Sequence, residues 1–118
     1  MKKEIFDYVQ LDQLQQSGGK LVAQWEVNGE LPFFDGHFPG NPILPAICII
    51  AISLHLISQF YPQISLQEIQ VKRSKFMAMV HPGDVVEICA ESDDQKNWKV
   101  LWQNTKDQQK LAQLSLVV

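Results

Sequence analysis

The sequence is poor in the features that mark several classes of protein. Its two cysteines, Cys48 and Cys89, lie in apolar runs, and their spacing fits no metal-binding motif. Its 10 lysines and arginines are outnumbered by 13 aspartates and glutamates, whereas proteins that bind nucleic acids carry a basic face. We therefore expect no metal, no nucleic-acid partner and two reduced core thiols, with a reactive Cys48 near a helix N-terminus as the alternative.

The chain also lacks a long, uninterrupted apolar segment. Its most apolar stretch, residues 43–57, is interrupted by Pro45, Ser53 and His55 and is too short to span a bilayer. The charged residues 1–4 are not followed by the apolar core of a signal peptide. We therefore expect a cytoplasmic protein with no membrane partner.

Apolar periodicity predicts two strands before one long helix. Residues 21–28 alternate between apolar and polar side chains, which is typical of a strand. Residues 17–19, Ser-Gly-Gly, predict a turn before it, with residues 8–14 as the partner strand. Pro45 suits the first position of a helix over residues 45–60, and the helix stops before Pro62. The helix is apolar on nearly every side, so we expect it to be buried all round.

The remainder of the chain predicts four more strands. They cover residues 66–77, 85–92, the alternating region around residues 98–102, and residues 110–118, with turns between them. Two strands, one buried helix and four strands suit an α+β domain in which an antiparallel sheet wraps around the helix. We expect residues 1–118 to form this single domain.

One segment carries a recognisable motif. The residues Gly36-His37-Phe38-Pro39-Gly40-Asn41-Pro42-Ile43-Leu44-Pro45 resemble the signature of the 3-hydroxyacyl-[acyl-carrier-protein] dehydratases. Lys75-Phe76 and Pro82-Gly83-Asp84 resemble a second segment of that family. The resemblance covers nearly the whole chain and implies a hot-dog fold without a cofactor. It also implies the conversion of 3-hydroxyacyl to 2-enoyl thioesters in fatty acid, polyene or polyketide-like synthesis.

The motif also suits that chemistry physically. Dehydration requires a base, a donor for the enolate oxygen and an acid for the departing hydroxyl. His37, held between Gly36 and Phe38, titrates near neutrality and suits the base. The loop leads into a helix whose first N–H groups have no internal partner. The resemblance places the oxyanion donor at Ala46, next to Pro45, and we expect these residues to line the substrate site.

The sequence departs from the family at the acid. The family carries Glu or Asp on the central helix, fourteen residues after the histidine, where this chain has Ala51. No Asp or Glu occurs between Asp35 and Glu68. His55 lies one turn further along the helix and is the candidate substitute, lining the substrate site with Ala51. The alternative is a histidine that is simply hydrogen-bonded in place. Ser53 is a weaker candidate, because a hydroxyl is a poor acid.

The sequence allows more than one partner and more than one function, because it contains a cluster of basic residues and lacks the helix carboxylate. Lys72, Arg73 and Lys75 suit docking of an acidic acyl carrier protein, or alternatively form a solvated strand face. We expect a dimer, with two sheets joined edge to edge. The first hypothesis is a dehydratase. The second is a catalytically incomplete subunit that pairs with a carboxylate-bearing homologue or binds acyl carrier protein. A hot-dog thioesterase ranks last.

Overall fold

The computed structural model describes residues 5–34, 43–64 and 68–118, and it contains the predicted order of two strands, one helix and four strands. The elements are β1 (Asp12–Ser17), β2 (Lys20–Glu26), α1 (Ala46–Phe60), β3 (Gln70–Phe76), β4 (Val85–Glu91), β5 (Asn97–Asn104) and β6 (Lys110–Val117), with short 3-10 helices at Ile5–Tyr8 and Pro32–Phe34. The α+β class predicted from the sequence is confirmed.

All six strands form one antiparallel sheet in the order β1-β2-β4-β5-β6-β3. The four central strands alternate between buried and more exposed residues, and α1 packs on their buried face. Three tryptophans fill this core, and Trp25 meets Trp102 edge to face, with ring centroids 6.2 Å apart. The strands β1 and β3 lie at the two edges, and every residue in both is exposed.

The helix begins one residue later than predicted. Pro45 is its N-cap, with φ −64° and ψ 150°, because its backbone is extended and only its carbonyl belongs to the helix. That carbonyl accepts hydrogen bonds from the N–H groups of Cys48, at 3.0 Å, and Ile49, at 3.3 Å. At the other end the Tyr61 N–H donates to the Ile57 carbonyl, and Pro62 follows, as predicted.

The prediction that α1 is buried all round is wrong for the single chain. One concave sheet covers only one side of a helix, and the side it covers is Cys48, Ile49, Ile52, Ser53, Leu56 and Ile57. On the opposite side Ile47 is 65% exposed, and Ala51, Leu54 and His55 are half-buried. We call this side the open face of α1.

The N-terminal part of the chain also differs from the prediction. A strand over residues 8–14 was expected, but the chain forms a 3-10 helix at Ile5–Tyr8 and enters the sheet only at β1. Gln13 has a φ of 52°, and the pairing of β1 with β2 shifts register beside it. The turn between β1 and β2 falls at Gly18 and Gly19, as predicted. Likewise β3 begins at Gln70, and residues 66 and 67 of its predicted range lie outside the described residues.

Both cysteines are free thiols. Cys48 lies on the buried side of α1, and burial raises its pKa to about 11. Cys89 is half-buried, and its pKa is raised chiefly by burial as well. A thiol with a raised pKa is protonated at neutral pH and is a poor nucleophile. The interpretation of Cys48 as a core residue is therefore favoured over a reactive one.

Candidate active site

The predicted base lies outside the part of the chain that the structure describes. His37 belongs to residues 35–42, together with the neighbouring Gly36 and Phe38. The roles predicted for these residues therefore stay predictions. The described part of the motif begins at residue 43 and leads into α1 at Ala46.

The start of α1 is exposed and firmly anchored. The Leu44 N–H donates to the Val80 carbonyl at 2.8 Å, which ties the entry of the helix to the segment after β3. The N–H groups of Ala46 and Ile47 come before the first intrahelical hydrogen bonds, which start at Cys48. Ala46 is exposed. Its N–H is thus available for an oxygen with developing negative charge.

An apolar cavity of about 280 Å³ opens beside the helix start. Its walls are Ile43, Leu44, Ala46 and Ile49 on the helix side, and Phe76, Met77, Ala78, Met79 and Val80 on the other. Its volume is close to the lower end of the usual range for ligand pockets, about 300 Å³. Larger hollows of about 630 and 440 Å³ occur elsewhere on the described chain, but they lie at polar loop surfaces away from this helix end. The cavity at the helix start is the one whose lining suits an acyl chain.

Ala51 and His55 lie one turn apart on the open face of α1, where helix geometry places them side by side. Ala51 presents only a methyl group. The His55 ring stacks on the ring of Phe6 from the first 3-10 helix, with centroids 4.4 Å apart and planes within 6°. Burial lowers the pKa of the His55 imidazole. Its neutral form therefore dominates at neutral pH, and this weakens the hypothesis that His55 replaces the acid.

Ser53 belongs to the core and not to the site. Its hydroxyl donates to the Ile49 carbonyl at 2.7 Å and accepts a hydrogen bond from Trp102 Nε1 at 2.8 Å. The side chain is completely buried. Both hydrogen bonds hold the Ser53 hydroxyl within the core, which agrees with the prediction that it is a weaker candidate for the acid than His55.

The remaining candidate residues occupy the surface. Lys72, Arg73 and Lys75 are exposed on β3, with Lys72 at a shift in the pairing with β6. His81 lies in the turn before β4, where its backbone N–H donates to Asp84 Oδ2 at 2.9 Å. His81 is therefore a turn residue, as the sequence suggests.

A metal site needs several ligating side chains close together, and a membrane span needs a long apolar helix. Within residues 5–34, 43–64 and 68–118 no group of three or more His, Cys, Asp or Glu side chains is placed to hold a metal ion. In the same ranges no helix has the length and apolar character needed to cross a membrane.

Sequence reasoning missed Phe6 and the segment after β3. Phe6 precedes His55 by almost half the chain, and nothing in the local pattern links the two rings. The sequence predicts a strand that ends at residue 77 and assigns no role to residues 78–80, whereas residues 76–80 line the cavity. A useful signal was their composition, Phe-Met-Ala-Met-Val, which is more apolar than a strand with one solvated face requires.

An antiparallel sheet that wraps around one helix, with the helix N-terminus opening on an apolar cavity, defines this chain as a hot-dog protein. A family model described as ApeI dehydratase matches residues 13–115. The chain belongs to this ApeI-like dehydratase family. The 3-hydroxyacyl-[acyl-carrier-protein] dehydratase FabZ of Oenococcus oeni is 34% identical over 88 residues, which cover 69% of this chain and 63% of that protein. The chain thus spans less than two thirds of the length of that relative.

Solved structures agree with the fold. The dehydratase heterocomplex ApeI:P from Xenorhabdus doucetiae contains a chain that superposes with a TM-score of 0.76 and 17% identity, covering 92% of this chain and 96% of that one. A mutant thioesterase from Staphylococcus aureus superposes with a TM-score of 0.60 and 15% identity, covering 96% and 95%. Because both identities are low, these similarities establish the hot-dog fold alone.

Proposed function

We propose that this chain is a subunit of a 3-hydroxyacyl-[acyl-carrier-protein] dehydratase, which removes water from 3-hydroxyacyl thioesters to give 2-enoyl thioesters. The observation that carries the proposal is the exposed start of α1, at Ala46, beside an apolar cavity and directly after the Gly-His-Phe-Pro-Gly motif. Membership of the ApeI-like dehydratase family supports the same reaction.

In the proposed mechanism His37 removes the proton from the carbon next to the thioester carbonyl. The electron pair moves toward the carbonyl oxygen, which the Ala46 N–H holds as negative charge develops. When the carbonyl re-forms, the double bond forms between the second and third carbons. The bond between the third carbon and the hydroxyl breaks as this double bond forms, and the hydroxyl leaves as water because it receives a proton. The acyl chain lies in the apolar cavity, where Ile49 and Phe76 contact it.

The departing hydroxyl requires a proton donor. Ala51 has no acid, and His55 is neutral at neutral pH, so neither suits the role in this chain. We propose that a second subunit packs on the open face of α1 and supplies a carboxylate. The exposed Ile47 supports such a contact, as does the relative that forms a complex of dehydratases. A partner that retains the helix carboxylate would complete one site with His37.

The basic residues of β3 suit delivery of the substrate. Lys72, Arg73 and Lys75 are exposed, and in the described chain none lies in a salt bridge. Acyl carrier proteins are acidic, and a basic surface increases the rate of encounter with such a partner. We therefore keep carrier-protein docking as part of the proposal.

Turnover by purified protein tests the function. The chain alone, and the chain with a homologue that carries the helix carboxylate, are supplied with 3-hydroxyacyl and plain acyl carrier-protein thioesters. We expect enoyl formation from the first substrate in the mixture, and little release of free thiol from the second. Release of thiol from plain acyl thioesters, without enoyl formation, would favour the thioesterase hypothesis and contradict the proposal.

The variant His37→Ala tests the assigned base. Activity should fall by about a hundredfold or more, because a general base is lost. The control is His81→Ala, which removes a turn histidine that is not among the residues lining the cavity and should leave turnover within about twofold of the wild type. Equal rates for His37→Ala and the wild type would contradict the assignment.

A further inference from the structure

We propose that the basic edge of β3 selects a non-identical partner subunit, whose own edge strand carries carboxylates, and disfavours pairing of this chain with itself. We call Lys72, Arg73 and Lys75 the edge cations. The inference rests on the proposed function in one respect, namely that the partner is a second hot-dog subunit.

The edge strand β3 has the features of a surface that another protein chain covers. Within the described residues it pairs with β6 alone, so its other side presents backbone N–H and C=O groups that no described strand pairs with. Val71 is 43% exposed and Phe76 is 41% exposed. Beyond the strand, Met79 is 57% exposed and lines the same cavity as the start of α1. Apolar side chains beside an unpaired strand mark a surface that meets another protein.

The other edge strand offers a poorer surface. In β1 the backbone is irregular at Gln13, and its pairing with β2 shifts register there. Its side chains are polar except for Leu14. A bulged, polar edge is one of the devices by which proteins avoid pairing with another strand. Pairing through β3 is therefore favoured over pairing through β1.

The register with β6 places two of the edge cations on the same face of the sheet. Ser74 pairs with Leu114, which is buried in the core, so Ser74 lies on the inner face. Arg73 and Lys75 flank Ser74 and therefore lie on the outer face. The neighbouring strand β6 contains no Asp or Glu, so nothing beside these cations neutralises them.

A symmetric dimer would set these cations against each other. A two-fold axis that extends the sheet pairs β3 with its own copy in antiparallel orientation, and paired residues share a face. An axis through Ser74 sets Arg73 opposite Lys75 of the copy. An axis through Arg73 or through Lys75 sets that cation opposite itself. Each register centred on this part of β3 therefore places like charges opposite each other, which destabilises a strand pair.

The basic edge is not a consequence of overall composition. The chain as a whole carries a formal net charge of −3, yet Gln70–Phe76 contains three cations and no carboxylate. A different subunit with Asp or Glu at the facing positions would convert the same cross-strand neighbours into favourable pairs. The positive charge of the edge cations is therefore complementary to a partner whose edge strand carries carboxylates.

A charge-inverted form of this chain can serve as that partner. The triple variant Lys72→Glu/Arg73→Glu/Lys75→Glu is mixed with the 15N-labelled wild type, and dimer masses are measured by native mass spectrometry at low and high salt. At low salt we expect more heterodimers of the wild type with the inverted variant than random mixing would give. The equilibrium constant for exchange of subunits between homodimers and heterodimers should be about tenfold above its statistical value. High salt should return the mixture toward the statistical proportion.

The matched control inverts as many charges away from the edge. The variant Lys96→Glu/Lys99→Glu/Lys106→Glu changes exposed side chains in β5 and in the loops that flank it, and it should mix statistically with the wild type. A neutral variant, Lys72→Gln/Arg73→Gln/Lys75→Gln, should form homodimers about tenfold more tightly than the wild type. If circular dichroism shows that the inverted variant does not fold, the homodimer affinity of this neutral variant tests the inference instead.

Two results would overturn the inference. One is a tight wild-type homodimer whose affinity does not depend on salt or on the neutral variant. The other is statistical mixing of the inverted variant, combined with slower turnover of carrier-linked but not pantetheine-linked substrate, because the edge cations would then serve carrier docking alone. Selective pairing by an inactive chain would instead leave this inference intact and contradict only the proposed dehydratase activity.

Discussion

Ser53 and His55 lie two positions apart on α1, and the fold uses them in opposite ways. Ser53 faces the sheet and links the helix to Trp102 through a buried hydrogen bond. His55 lies on the open face and stacks on Phe6. Both were candidates for the missing acid, and the environment of each weakens that role. One hydroxyl is committed to the core, and one imidazole is kept neutral by burial.

Ser53→Ala should destabilise the protein by about 1–3 kcal/mol, because Trp102 Nε1 would be left buried without an acceptor. Urea unfolding measures the change. The matched control is Ser58→Ala on the same helix, which removes only a half-buried hydroxyl that donates to the His55 carbonyl at 2.7 Å. Equal losses in the two variants would show that the buried indole N–H does not need Ser53.

Asp94 makes the stability of the fold depend on acid pH. Its pKa is held well below the usual range, first by the backbone N–H of Asn97, then by the Asn97 side chain and the Lys96 N–H. A depressed pKa contributes stability above the unfolded value, about 3.9, and this contribution is lost as the pH falls through the folded value. Urea unfolding between about pH 6 and about pH 2 should therefore show falling stability. The Asp94→Ala variant should be less stable than the wild type near neutrality, and its stability should fall less as the pH is lowered. If the stability of the variant depends on pH as steeply as that of the wild type, the prediction is contradicted.

At the scale of elements, tight turns set the register of the sheet. The β1–β2 turn uses Gly18, with a φ of 59°, and Gly19, whose carbonyl accepts the Ser92 N–H at 2.9 Å. A Cβ at Gly19 would overlap the Ser92 carbonyl oxygen, whereas a Cβ at Gly18 would meet open space. These two glycines are needed for different reasons, the first for its conformation and the second for a close backbone approach.

Gly19→Ala should therefore cost more stability than Gly18→Ala. We expect about 2–3 kcal/mol for the first, because a backbone hydrogen bond between the turn and Ser92 must shift. We expect about 1 kcal/mol for the second, from the left-handed conformation alone. Thermal unfolding of the two variants compares them directly. A larger loss of stability for Gly18→Ala than for Gly19→Ala would contradict the argument that the close approach of Gly19 to Ser92 limits substitution.

At the scale of the whole molecule, the proposed site depends on a partner subunit. The open face of α1 carries the position at which the family has its carboxylate, and here that position is Ala51. Because a helix covered on one side leaves apolar surface exposed, the proposed assembly would bury Ile47 and would offer a place for a second set of catalytic residues.

Ala51→Glu should raise dehydration by the purified chain alone, because it returns an acid to the open face. A carboxylate in these apolar surroundings tends to stay protonated, which suits an acid. The control is Ala51→Gln, which matches Glu in size without the acid and should not raise the rate. Ordinary enzyme rates from the unmodified homodimer would contradict the need for a carboxylate, and His55→Ala would then test the remaining acid.

Local patterns in the sequence determined the order of the strands and the helix, the limits set by Pro45 and Pro62, and the turn at Gly18 and Gly19. These features depend on alternation and on backbone restrictions, which act over a few residues. The motif around His37 determined the family in the same way. The irregular start of β1 escaped this reasoning, because an apolar pattern does not reveal where a strand finds its neighbour.

Only the tertiary structure decided which side of α1 is covered, because that depends on the curvature of the sheet and not on a helix that is apolar on nearly every side. The stacking of Phe6 on His55 and the bond between Ser53 and Trp102 join residues 49 positions apart. Such contacts are set by packing, and no spacing rule predicts them. Likewise, the sequence shows that Lys72, Arg73 and Lys75 are basic, but the strand order alone places them on a free edge, where like charges oppose self-pairing.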